Sequence, residues 1–172
     1  DIRTTAATSF MQWITWAGSY RAGLVGVLVA VYFWLSQKRR EDAFRLALAV
    51  TVAPVYNLAL KALFSRPRPD IIPALVQADT LSFPSGHATL AMAFYGTLAI
   101  LAWQRGHRII PFVLAGLIGL VSLSRVYLGV HYATDVIGAL TFGVVWLYLV
   151  MHVRTPDSAS GEEVPAVGEP MH

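Results

Sequence analysis

Five runs of apolar residues, each about the length of a bilayer crossing, follow one another along the chain. They cover roughly 13–35, 43–64, 85–104, 108–127 and 130–152. A hydrocarbon core about 30 Å thick takes about 20 apolar residues of α-helix. Any one run alone would suit a buried helix of a soluble domain. Five in succession, with almost nothing amphipathic between them, leave too little polar surface for a water-soluble shell. The pattern predicts an all-α, polytopic transmembrane bundle of about five spans. The first 12 residues are polar and carry no clear message. The tail from 155 is rich in Ser, Gly, Pro and Glu and reads as disordered. The expected organisation is a transmembrane domain over 1–154 and a cytoplasmic tail over 155–172. Internal repeats and a signal-peptide pattern are not visible. Asp rather than Met at position 1 reads as a fragment.

Composition sharpens this picture. Of 172 residues, 56% are hydrophobic and 13% charged, against about 25% charged in an ordinary soluble domain. Mean hydropathy is +0.56. These values exclude a soluble globular protein and extended disorder. Cysteine is absent, which removes disulfides, thiol nucleophiles and cysteine metal sites. A net charge of +3 and a pI near 9.5 invite a nucleic-acid reading. The basic residues, however, divide between two membrane faces rather than forming one stripe, so no nucleic-acid partner is expected.

The loop charges orient the bundle. Lys38, Arg39 and Arg40 follow the first run, Arg105 and Arg108 separate the third from the fourth, and Arg154 follows the fifth. Basic residues in short loops mark the cytoplasmic side, and all three places fall on one side of a five-span serpentine. The N-terminus, the segment 65–84 and the turn at 127–130 then face outward, and the tail faces the cytoplasm.

Under that topology an unusual set of polar residues collects at the outward boundary: Lys61, Arg66, Arg68, Ser85, Gly86, His87, Ser124, Arg125, His131 and Asp135. Ionisable residues at the edge of a span are costly and are functional candidates by default. Taken singly, each has a plain reading. Lys61 can snorkel, Arg125 can satisfy a helix C-terminus, and Arg66 can be a flank. Together, Lys61, Arg66, Arg68 and Arg125 are cations on the side where loop bias does not place them, and their joint purpose reads as anion binding. A helix starting at Pro84-Ser85-Gly86-His87 would add free amides and a favourable dipole. His131 and Asp135, at i and i+4, share a helix face, so the carboxylate can hold one ring nitrogen and leave the other free to attack. His87 suits general acid work. Two His and one carboxylate also resemble a metal triad. The surrounding cations would repel a divalent ion, so no metal and no cofactor is expected.

The residues fall into three ordered motifs: Lys61 followed after six residues by Arg68-Pro69; Pro84-Ser85-Gly86-His87; and Ser124-Arg125, five residues, His131, three residues, Asp135. This resembles the tripartite signature of the type 2 phosphatidic acid phosphatase (PAP2) superfamily, matched in order without substitution over a chain segment of about 10–152. Membrane members of that family usually have six transmembrane helices, one more than the five runs here. The resemblance implies a metal-independent integral membrane lipid phosphatase of the bacterial inner (plasma) membrane, with its site at the extracytoplasmic face. It implies a phosphohistidine on His131 oriented by Asp135. His87 would be the acid and then the base. Lys61, Arg68, Ser85, Gly86 and Arg125 would hold the phosphate, with Arg66 auxiliary. Its substrates would be phosphatidic acid, phosphatidylglycerol phosphate or undecaprenyl pyrophosphate. The short outward loop 70–83 predicts broad or tail-selected specificity. Phosphotransfer to a second lipid is the main alternative. A vanadium-haloperoxidase-like oxidoreductase and an inactive membrane partner are weaker ones. Oligomeric state is left open.

Overall fold

The first apolar run is not one straight helix. In the computed structural model, which describes residues 3–70, 73–78 and 80–153, Thr4 caps α1 (Thr5–Ala17) with its hydroxyl accepting from the Ala7 amide. Ser19 caps α2 (Tyr20–Ser36) in the same way at Ala22. Such hydroxyls capture amides that an unbroken helix would use, which starts a new helix where each one sits. Gly18 lies at the break, where a β-carbon would come within 2.4 Å of Val121 Cγ1 and 3.2 Å of the His87 carbonyl. The two axes differ by 47°. The expected single span over 13–35 is therefore a bent pair, and the first 12 residues, which carried no message as sequence, belong mostly to α1.

The remaining runs form helices close to their expected bounds. These are α3 (Arg40–Phe64), α6 (Ile110–Tyr127), α7 (Ala133–His152) and a composite of α4 (Gly86–Ala91), a π-helical segment (Met92–Gly96) and α5 (Thr97–Gln104). Among the described residues, four helices are long and apolar enough to cross a membrane, or five if the bent pair counts as one. The described residues contain no strand, and the fold is an all-helical membrane bundle.

Close helix approach is built on small residues, as membrane bundles require. A β-carbon on Gly143 of α7 would lie 2.5 Å from Met92 Cγ, at the start of the π segment. Val27, Trp34, Leu46, Val50 and Leu101 fill the α2–α3–α5 core. One end of the bundle is closed by Arg105 donating to Asp42, which ties α5 to α3, and by Arg108 stacked over Trp103 at 4.4 Å. The other end holds a buried polar cluster containing Lys61, Ser82, Ser85, Arg125, His131 and Asp135.

Candidate active site

Four helix ends build the cluster. The last turn of α3 supplies Lys61, the start of α4 supplies Gly86 and His87, the last turn of α6 supplies Arg125, and the first turn of α7 supplies Asp135. His131 lies in the turn between α6 and α7. That turn depends on Gly129, whose φ of +75° is unstrained only without a β-carbon. Asp135 Oδ2 accepts from the Tyr132 amide at 2.9 Å, which fixes the start of α7 and places the carboxylate beside His131.

Asp135 is fully buried, and a buried carboxylate needs both hydrogen bonds and a counter-charge. It has both. Ser82 Oγ donates to Oδ2 at 2.5 Å, His131 Nδ1 faces the same oxygen at 3.4 Å, and Arg66 Nη1 donates to Oδ1 at 2.8 Å. Arg66 also donates to Thr134 at 2.7 Å and lies 4.1 Å over the Tyr132 ring. Expected as an auxiliary to the anion-binding cations, Arg66 is placed against Asp135 and is not among the residues that line the small cavity beside His131. Ser82 is a site residue that the motifs did not reveal. A loop serine two positions before Pro84 is ordinary turn composition, and only its burial against Asp135 distinguishes it.

With Nδ1 turned to the carboxylate, His131 points Nε2 toward Arg68 Nη1, 3.4 Å away. Burial, followed by the Arg68, Arg125 and Lys61 charges, pushes the His131 pKa down to about 3. The imidazole is therefore neutral near pH 7, with its Nε2 lone pair available. Arg68 is braced by the Thr80 and Val130 carbonyls, both at 2.6 Å. Lys61 donates to the Leu81 carbonyl. Arg125 Nη1 donates to Thr15 of α1 at 2.7 Å, and its Nε is buried without a partner among the described residues.

These groups enclose a cavity of about 180 Å³ lined by Lys61, Arg68, Thr80, Gly86, His87, Arg125 and His131, among others. A β-carbon at Gly86 would meet only Asn57 Oδ1, at 3.6 Å. Asn57 donates to Thr89 at 2.9 Å and so steadies the start of α4. Ser85, expected to help hold the phosphate, stands directly before Gly86. It is fully buried and is not a lining residue. Its amide donates to the Asp135 carbonyl at 3.1 Å, and its Oγ has no partner among the described residues. Among the described residues, no three His, Asp or Glu side chains group where they could hold a metal ion. A second cavity of about 340 Å³ shares Lys61, Thr80, Gly86 and His87 with the first and continues past Asn57 to Pro54, Leu58, Leu90, Gly18 and Tyr20.

An all-helical membrane bundle that gathers a buried His–Asp pair and three cations around a small cavity at one end has the form of a membrane phosphatase. The chain belongs to the PAP2 superfamily, whose profile matches residues 42–158, and to its branch of membrane lipid phosphatases. It is 34% identical over 140 residues to phosphatidylglycerophosphatase B of Bacillus subtilis, covering 78% of this chain and 68% of that protein. It is 35% identical over 109 residues to the decaprenylphosphoryl-5-phosphoribose phosphatase of Mycobacterium tuberculosis, covering 62% of this chain and 58% of that protein. In three dimensions it is similar to the crystal structure of a transmembrane PAP2-type phosphatidylglycerolphosphate phosphatase from Bacillus subtilis. That match has a TM-score of 0.78 and 30% identity, over 87% of this chain and 77% of that one.

Proposed function

We propose that this protein hydrolyses the phosphate monoester or pyrophosphate of a membrane lipid through a phosphohistidine on His131. The observation that carries the reading is the adjacency of the two cavities through shared wall residues. A small cationic space shares Lys61, Thr80, Gly86 and His87 with a neighbouring space whose lining includes Pro54, Leu58 and Leu90. A headgroup phosphate and the start of its apolar chain fit that sequence of polar and apolar walls.

In the reaction, His131 Nε2 attacks phosphorus while Lys61, Arg68 and Arg125 hold the non-bridging oxygens. Positioning and positive charge are what an in-line phosphoryl transfer needs. Asp135 keeps Nδ1 protonated and carries part of the charge that develops on the ring. His87, protonated once the anionic phosphate is bound beside it, gives that proton to the departing oxygen. It then takes one from a water, which attacks the phosphohistidine, and phosphate leaves with both histidines restored. Gly86 lets the phosphate approach the start of α4, and the Ser85 amide, bonded to the Asp135 carbonyl, holds that start against α7. The two relatives are named for a glycerophospholipid and for a polyprenyl lipid. Diversity of that kind, with little chain in the outward loop, supports selection by the lipid tail more than by the headgroup. Phosphatidic acid, phosphatidylglycerol phosphate and undecaprenyl pyrophosphate are the substrates to try. Lys38, Arg39, Arg40, Arg105 and Arg108 support a cytoplasmic position for the opposite end and, with it, a site at the extracytoplasmic face of a bacterial inner membrane.

The test is phosphate release from these three lipids in detergent, with and without EDTA. Release from at least one, unchanged by EDTA and stopped by orthovanadate, is expected. Release that EDTA abolishes and Mg²⁺ restores would overturn the metal-free mechanism. Transfer of labelled phosphate to a second lipid, with no free phosphate, would assign a transferase instead.

A further inference from the structure

We propose that α1, which lies outside the segment matched by the family profile, is part of the phosphate-binding apparatus, with Thr15 as the positioning residue that aims Arg125. Arg125 is buried at the end of α6, and among the described residues its Nη1 donates to the Thr15 hydroxyl, at 2.7 Å. A guanidinium carries its five N–H donors in one rigid plane. Fixing one Nη1 hydrogen on an immobile acceptor therefore sets the direction of the whole fork. The partnerless Nε and the cavity-lining position of Arg125 leave the rest of that fork for an anion. Without Thr15 the long side chain regains rotamer freedom that each binding event must remove again.

Thr15 can serve as such an acceptor because α1 is held at several points. Arg3 donates to the Tyr127 and Pro73 carbonyls at 2.9 and 3.0 Å. Thr8 and Tyr127 join hydroxyls at 3.2 Å. Tyr95 donates to the Ala17 carbonyl at 2.9 Å. The opposite face of α1 exposes Phe10, Trp13 and Trp16, the residue types that settle at the level of the lipid headgroups. The helix thus sits between the membrane interface and α6, and its Thr15 meets the cation that faces the substrate phosphate.

The inference rests on Arg125 being a phosphate ligand, and the experiment separates the two. Wild type, Thr15→Val, Thr15→Ser and Arg125→Lys are purified in dodecyl maltoside. The melting temperature of each is followed against orthovanadate, which measures anion binding without turnover. Thr15→Val should melt like wild type without ligand but bind vanadate about tenfold more weakly, the size of one lost hydrogen bond to a charged group. Thr15→Ser should recover most of the affinity, and Arg125→Lys should lose at least as much as Thr15→Val. Wild-type vanadate affinity in Thr15→Val beside a weak Arg125→Lys would overturn the role of Thr15 and leave that of Arg125 standing. Wild-type affinity in both would remove the phosphate role of Arg125 as well. Equal loss in Thr15→Val and Thr15→Ser, with both melting early without ligand, would make Thr15 a structural contact of α1 and also overturn the proposal.

Discussion

His131 is held in a state that a free histidine reaches only above about pH 6.5. Burial and three neighbouring cations keep its ring unprotonated, with the pKa pushed down to about 3. The sign follows from proton linkage. Between that value and the ordinary one the unfolded chain binds a proton at this position and the folded protein does not, so this group favours folding more as pH rises through the window. Histidine-labelled NMR spectra, assigned with His131→Gln, should show a neutral His131 carrying its proton on Nδ1, with a titration midpoint well below 6.5 in the ligand-free protein. A midpoint at or above 6.5 would contradict the arrangement. Individual residues also mark how far the sequence could be read. His131, Asp135, Arg68 and Lys61 were legible because charges are scarce in apolar runs. Charge alone did not separate Arg66 from Arg68, two positions apart in one loop, and the family resemblance gave Arg66 only an auxiliary part. Only the folded loop sends the first to Asp135 and the second toward His131.

The elements were readable by length but not by shape. An apolar run reports that a helix crosses the membrane. It does not report the Ser19 cap inside it, which splits the first run into α1 and α2, nor the π segment at Met92–Gly96, which has no compositional signature. That segment packs against α7 where Gly143 leaves room for Met92. A β-carbon there would also lie 3.0 Å from Met92 Cβ, too near the stem of the side chain for a simple tip rotation to relieve. Gly143→Val is therefore expected to destabilise the bundle by about 1–3 kcal/mol through overpacking, measured as an earlier thermal transition in detergent. An unchanged transition would mean that α7 and the π segment are not tightly packed.

At the scale of the whole molecule, the site follows from the direction of the helices. α3 and α6 end, and α4 and α7 begin, at the same end of the bundle, so their motif residues meet without any long connection. The sequence already implied this parity, because the same serpentine that sorts the loop charges places all three motifs on one side. Three features needed the fold. The bent pair brings Thr15 and Gly18 against α6 and α4. Ser82, between α3 and α4, donates to Asp135. A cationic cavity and a more apolar one lie side by side and share four wall residues. The tail over 155–172 lies outside the described residues. The central claim, that His131 is the nucleophile, is tested most directly by quenching turnover of a ³²P-labelled lipid phosphate under alkaline conditions and mapping the label by peptide mass spectrometry. The expected result is an acid-labile phosphoryl group on His131 that is absent in His131→Asn, a variant that still folds and inserts but releases no phosphate. Label on His87 or another residue, or near-normal phosphate release by His131→Asn, would contradict it.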